Sequence, residues 1–91
     1  MTVTIRVPTP LRDYVQGASE LSLSAGSVGA ALEELERSHP LLYRNICDET
    51  GKVRRHVNVF VNSSNVRDGK GLDTVLSPGD VVTILPAVSG G

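Results

Sequence analysis

The pattern of apolar, polar and turn-forming residues predicts four β-strands along this chain. In residues 2–7, valine and isoleucine alternate with threonine and arginine, which is the period of two expected of a half-buried strand. The same period recurs in residues 20–23 and 56–62. A last strand is predicted at residues 81–85, after a turn at Ser77–Asp80, and prolines are predicted to stop the first and last strands. The run 56–62 carries three valines on one face, so it is predicted to be an interior strand.

A helical period separates the second and third strands. Apolar residues at i, i+3, i+4 and i+7 predict a main helix that begins after Ser27, a residue able to cap it, and ends near Ser38. Shorter helical segments are predicted at residues 11–15 and 41–46. Residues 63–76 show no regular period and are predicted to be irregular.

The order of these elements indicates the fold class. Two strands, a helix and two more strands predict an α+β domain, in which one main helix packs on one face of a mixed sheet of four to five strands. If the first and last strands are neighbours, they run parallel through a long crossover, which is the β-grasp, or ubiquitin-like, arrangement. We assign residues 1–86 to this domain and residues 87–91 to a flexible C-terminal Gly-Gly tail.

Composition and charge argue against several classes of protein. The chain has 91 residues, of which 40% are hydrophobic and 21% charged, as in an ordinary globular domain. A formal net charge of -1 supplies no positive field for nucleic acid or an anionic membrane, so neither is an expected partner. The single cysteine, Cys47, allows no internal disulfide, and no secretion signal is recognisable, so a cytoplasmic location is expected.

The interior of the chain offers no convincing catalytic group. His39 and His56 do not have metal-ligand spacing, so no metal site is predicted. Asp48 and Glu49 lie in a polar turn, where a solvated surface is a better interpretation than an acid/base pair. For Cys47 a packing role is preferred to a reactive thiol. The chain is therefore predicted not to be an enzyme and to bind no cofactor of its own.

The remaining candidate is the pair of glycines that ends the sequence, Gly90 and Gly91. Without Cβ atoms they form a thread narrow enough for a tight channel. Extended from Ala87 to Gly91, the tail reaches roughly 17 Å. Because a carboxylate is a poor electrophile, chemistry at Gly91 requires an activating enzyme that spends ATP, while this chain supplies binding and position.

Three segments resemble the ThiS/MoaD family of ubiquitin-like sulfur carriers: Arg55–Asn62, Gly71–Asp73 and Pro78–Gly91. The resemblance implies that an E1-like enzyme adenylates Gly91, that the adenylate becomes a thiocarboxylate, and that the preceding tail enters the partner's active site. That preceding tail consists of Ala87, Val88, Ser89 and Gly90, and Ser89 stands where many relatives carry alanine.

Within this family the chain is most similar to the carriers of cysteine biosynthesis. That likeness implies a thiocarboxylate that attacks an aminoacrylate on a pyridoxal-phosphate enzyme, after which a metallopeptidase releases cysteine. ATP and pyridoxal phosphate would then belong to the partners. The alternatives are the small subunit of molybdopterin synthase, a sulfur donor for another pathway such as thiosugar biosynthesis, and a modifier that forms isopeptide bonds with lysines.

The alternation also predicts a partner-binding surface on the sheet. Phe60, Val81 and Leu85 point away from the valine face, so they are expected to form an exposed apolar patch opposite the helix. Arg55 precedes the strand 56–62 and His56 begins it, and both are expected to complete the surface that docks the activating enzyme. The competing interpretation is that the chain's own loops cover Phe60.

Overall fold

Five strands form one mixed sheet in the computed structural model, which describes residues 2–86. The strands are β1 (Val3–Arg6), β2 (Glu20–Leu23), β3 (Val57–Val61), β4 (Ser64–Asn65) and β5 (Val81–Pro86). Their order across the sheet is β2-β1-β5-β3-β4, in which β1 and β5 are parallel and the other neighbours are antiparallel. The predicted β-grasp arrangement is confirmed, and the fifth strand is the short β4.

Two α-helices, α1 (Val28–Ser38) and α2 (Pro40–Ile46), lie between β2 and β3 in the chain. The Oγ atom of Ser27 accepts a hydrogen bond from the amide of Ala30 at 3.1 Å, which caps α1 as predicted. Three 3-10 helices complete the described elements, at Thr9–Val15, Val66–Asp68 and Gly71–Asp73. None of the helices in residues 2–86 has the length and apolar character needed to cross a membrane.

The core lies between the sheet and α1. The predicted face of α1 is buried through Val28, Ala31, Leu32 and Leu35. From the sheet, Ile5, Val57, Val59, Val82 and Ile84 are at most 1% exposed. Because side chains alternate between the two faces of a strand, the other residues of β3 and β5 lie on the face away from α1.

The structure corrects the bounds of three predicted strands and the description of one segment. β1 is one residue shorter at each end than the predicted run 2–7. β3 is one residue shorter at each end than the predicted run 56–62, because His56 belongs to a turn and Asn62 has a left-handed φ of 55°. Pro86 does not stop the last strand but is its final residue, paired with Val57. The segment 63–76, predicted to be irregular, contains β4 and two of the 3-10 helices. These short elements lack the length that a periodic pattern needs to become visible.

The carboxylate of Asp80 stabilises the turn Ser77–Asp80, which precedes β5. Asp80 accepts hydrogen bonds from the amide of Ser77 at 2.8 Å and from the Nδ2 atom of Asn62 at 3.2 Å. These bonds, with that from Ser77 the larger cause, hold the pKa of Asp80 below its ordinary value. The pKa of Asp80 is thus lower in the folded chain than in the unfolded chain. The stability that results is complete above pH about 4, and it is lost as the pH falls through the pKa of the folded chain.

We therefore expect Asp80→Asn to lower the free energy of unfolding at pH 7, and to lower it less at pH 3, which lies below the ordinary pKa of an aspartate, so that part of the linked stability is already lost. Urea denaturation of both chains at the two pH values measures this difference. Asp13→Asn, at an exposed aspartate of the first 3-10 helix, is the control. An effect of Asp80→Asn that is the same at both pH values would contradict the prediction.

Candidate functional site

The candidate site is the end of the sheet at which β5 finishes. β5 is the central strand, between β1 and β3, and its last residue is Pro86. Residues 87–91 follow directly. The predicted reactive tail, namely Ala87, Val88, Ser89, Gly90 and Gly91, lies outside the described residues. We call the point where this tail begins, at the end of β5, the tail root. The structure defines the surface around it.

The first part of that surface is the outer face of the sheet. Val81 and Leu85 flank Thr83 on β5, and Phe60 is the cross-strand partner of Thr83 on β3. Side chains two residues apart or directly opposite are neighbours on one face, so these apolar residues form one patch around Thr83. Leu85 is 46% exposed, whereas Phe60 and Val81 are half-buried, and Phe60 also pairs with Asn65 of β4. Leu85 therefore carries the most accessible part of the patch.

The second part is the β-turn Arg54–Val57, which leads into β3. The amide of Val57 donates to the carbonyl oxygen of Arg54 at 3.0 Å, so Arg55 and His56 are the central residues of the turn. Both are exposed. Since Val57 is the register partner of Pro86, this turn is adjacent to the tail root. The structure thus brings Arg55 and His56 to the same end of the sheet as Leu85.

Main-chain hydrogen bonds from arginine side chains hold this turn. The guanidinium of Arg67 donates to the carbonyl oxygens of Arg54 and Val57, both at 2.8 Å, and to that of Arg55 at 3.3 Å. The Nε atom of Arg54 donates to the carbonyl oxygen of Arg44 in α2 at 2.8 Å. Arg67 was not predicted as a site residue. No sequence signal points to it, because its acceptors lie 10 to 13 residues away in the chain.

The guanidinium of Arg55 is available for a binding partner. Within residues 2–86 the ion pairs are Arg6 with Glu20 at 3.8 Å and Arg37 with Glu34 at 3.4 Å. Arg55 takes part in neither, and an arginine side chain remains charged at any ordinary pH. The tail root is therefore flanked by an apolar patch on the sheet and by a cation on the turn.

A separate open cleft of about 600 Å³ is lined by other residues that the sequence analysis considered for chemistry, namely Cys47, Asp48 and Glu49. Cys47 is 1% exposed, and burial raises the pKa of its thiol to about 11, so the thiol is neutral at pH 7. This agrees with the packing interpretation.

Hydrogen bonds from the hydroxyl and the amide of Thr50 hold the pKa of Asp48 below its ordinary value, as expected of a turn carboxylate. In the described part of the chain, no three His, Cys, Asp or Glu side chains are grouped to hold a metal ion.

A mixed β-grasp sheet whose central final strand leads into a tail defines the class of ubiquitin-like proteins. The protein-family model described as "ThiS family" matches residues 5–91 of the sequence, and the chain belongs to that family. Within the matched range lie the outer face, the turn Arg54–Val57 and the glycine pair Gly90-Gly91.

Individual relatives agree with this assignment. The chain is 41% identical to the sulfur carrier protein CysO of Mycobacterium tuberculosis over 93 residues, which cover 100% of each chain. The crystal structure of that protein superposes with a TM-score of 0.86 at 40% identity, covering 94% of this chain and 99% of the other. A crystal structure of the BexX/CysO complex of Amycolatopsis orientalis gives a TM-score of 0.84 at 36% identity, covering 98% and 99%.

A second kind of relative is named as a modifier. The chain is 37% identical to small archaeal modifier protein 3 of Haloferax volcanii over 65 residues, which cover 71% of this chain and 70% of the other.

Proposed function

We propose that this chain is a sulfur carrier, in which an E1-like enzyme adenylates Gly91 and the adenylate is converted to a thiocarboxylate. The observation that carries the proposal is the family match, which runs to Gly91. The full-length identity to a protein named as a sulfur carrier supports it. In this role the chain is a co-substrate that is consumed and regenerated by its partners, and it supplies no catalytic group.

The division of labour follows from the chemistry of the terminus. A carboxylate oxygen of Gly91 attacks the α-phosphorus of ATP on the activating enzyme, and pyrophosphate leaves. A sulfur nucleophile then attacks the acyl carbon, and AMP leaves. On this proposal this chain supplies no catalytic group for either step. Its contribution is to place the tail root against the enzyme, so that the carboxylate is delivered in position.

We further propose that the sulfur is used in cysteine biosynthesis in the cytoplasm. The support is the identity to CysO over the full length of both chains. On this proposal the acceptor enzyme supplies pyridoxal phosphate, and a metallopeptidase releases the product. The solved complex of a CysO with BexX supports the view that a similar carrier binds a separate partner protein. Another sulfur acceptor, such as an enzyme of thiosugar biosynthesis, is the alternative within the same chemistry.

Intact-mass spectrometry tests the carrier proposal. The chain is incubated with the activating enzyme of its own organism, ATP and a sulfur source, and its mass is measured under non-reducing and alkylating conditions. We expect the chain to gain the mass difference between sulfur and oxygen, and to lose it when ATP is omitted. An unchanged mass with all components present contradicts the proposal.

Protein modification is the second candidate function, and the observation that favours it is the likeness to a small archaeal modifier protein. A modifier would form isopeptide bonds between Gly91 and lysines of other proteins. It predicts a ladder of conjugates in cells that express a tagged chain. Deletion of Gly91 should abolish this ladder, and a chain that gains sulfur but forms no conjugates would be a carrier and not a modifier.

The apolar patch supplies a prediction about docking. We expect Phe60→Ala to raise the KM of the activating enzyme for this chain about tenfold and to leave kcat unchanged, since an aromatic anchor contributes to binding rather than to chemistry. Pyrophosphate release measures both constants. Val75→Ala is the control, because Val75 is 72% exposed and lies outside the patch. A variant that folds and is adenylated like the original chain would show that Phe60 is not part of the docking surface.

A further inference from the structure

Arg67 makes an unusual set of contacts for an exposed side chain. Its guanidinium donates to three main-chain carbonyls of one β-turn, at distances of 2.8, 2.8 and 3.3 Å. The acceptors are the first, second and last residues of the turn Arg54–Val57. A guanidinium presents its donors in a rigid planar fork, so all three bonds are made only when the turn has one conformation. Arg67 therefore fixes the shape of a turn to which it is not adjacent in sequence.

The turn is also fixed from its other side. The amide and the Nε atom of Arg54 donate to the carbonyl oxygens of Ile46, at 2.9 Å, and Arg44, at 2.8 Å, both in α2. The first residue of the turn is thus hydrogen-bonded to a helix, and its last residue, Val57, begins β3 as the register partner of Pro86 in β5. Only the central residues, Arg55 and His56, project freely into solvent. The side chain that this framework presents with a permanent charge is Arg55.

The position of the turn limits what Arg55 can meet. Under the proposed function, on which this inference rests, an enzyme draws in a tail of five residues that begins after Pro86. At full extension that tail spans roughly 17 Å, so the enzyme must close over the end of the sheet that carries the tail root. The turn stands at that end. A charged group held there contacts the rim of the channel that receives the tail.

We propose that Arg67 is a positioning residue, which orders the turn Arg54–Val57 so that Arg55 binds a carboxylate on the activating enzyme beside the mouth of its tail channel. A carboxylate on the partner complements the permanent charge of Arg55, which has no carboxylate partner within residues 2–86. Ordering the turn in advance removes the entropy that binding would otherwise cost. Arg67 acts through Arg55 and does not touch the reacting carboxylate.

Adenylation kinetics with the native activating enzyme test this proposal. Arg67→Met and Arg55→Met are each expected to raise KM about tenfold and to leave kcat unchanged. Both affect the same docking contact, that of Arg55, and neither removes a catalytic group. Arg67→Lys keeps the positive charge but not the fork, so it is expected to behave like Arg67→Met. Arg37→Met is the matched control, because Arg37 is an arginine with an 80% exposed side chain in α1, where no docking role is proposed.

A double-mutant cycle separates positioning from stability. If Arg67 acts through Arg55, then Arg67→Met has no further effect on KM in a chain that already carries Arg55→Met. If Arg67 only stabilises the fold, its substitution lowers the melting temperature and leaves KM unchanged at a temperature where the variant is folded, and that result overturns the proposal. If Arg55 instead held this chain's own tail, Arg55→Met would lower KM, which overturns it as well.

Amide hydrogen exchange supplies a readout that does not depend on the enzyme. In Arg67→Met the amide of Val57, which closes the turn at 3.0 Å, is expected to exchange faster, while that of Ile84 in the core exchanges as before. Unchanged exchange at Val57 shows that Arg67 does not order the turn and overturns the proposal. If the unaltered chain is not adenylated, the proposed function fails and this inference fails with it. If it is adenylated but KM does not respond to Arg67, only this inference fails.

Discussion

Deletion of Gly91 is expected to abolish thiocarboxylate formation completely, and this is the largest functional effect that we predict. The deleted chain still ends in a glycine carboxylate, on Gly90, but that carboxylate stops about 3.5 Å short of its original position. A displacement of even about 1 Å from the productive geometry can cost a factor of about a hundred in rate. Intact-mass spectrometry after incubation with the activating enzyme, ATP and a sulfur source measures the loss.

Ser89→Ala is the matched control for this deletion, because it alters the same tail by exchanging one small residue for another. We expect it to form the thiocarboxylate as the original chain does. The deletion should also leave the melting temperature unchanged, since residues 2–86, which make up the described fold, are untouched. A chain lacking Gly91 that still gained sulfur would place the reactive group elsewhere and would refute the proposed function.

Ile84→Ala is expected to have the largest effect on stability. Ile84 is fully buried in the central strand β5, and its substitution removes three carbon atoms from the core. Truncations of this kind typically cost about 2–5 kcal/mol, which is a large share of the roughly 5–15 kcal/mol that stabilises a small domain. Urea denaturation followed by circular dichroism measures the change in the free energy of unfolding.

The neighbouring residue of the same strand is the control. Leu85 is 46% exposed and lies on the opposite face, so we expect Leu85→Ala to lower the free energy of unfolding by less than about 1 kcal/mol. The same substitution should weaken docking if the apolar patch binds the activating enzyme. Equal losses of stability at positions 84 and 85 would contradict the two-faced description of β5.

Periodicity predicted most of the regular structure because each long element buries one face. The alternation in residues 2–7 and the helical spacing from Val28 to Leu35 both reflect contact with a single core. Short elements escaped this reasoning. β4 has two residues, too few to show any period, and its position depends on pairing with Phe60 and Val61.

The candidate site was also only partly predictable from sequence. Gly90-Gly91 was identifiable from sequence because its chemistry depends on residue type alone, and a thread without side chains needs no tertiary partner. The surroundings of the tail root were only partly accessible. Phe60, Val81 and Leu85 could be assigned to one face, but their unequal exposure is visible only in the structure, which leaves Leu85 the most accessible of the three.

By itself, the sequence determined the order of the long strands and helices and the α+β class through local period, and it supplied the glycine pair of the tail through residue type. Only the tertiary structure showed that the guanidinium of Arg67 binds the turn beside the tail root, since its acceptors are the carbonyls of Arg54, Arg55 and Val57. Any residue type supplies a carbonyl oxygen. Such a contact leaves no pattern in the chain and is defined only when folding brings the two segments together.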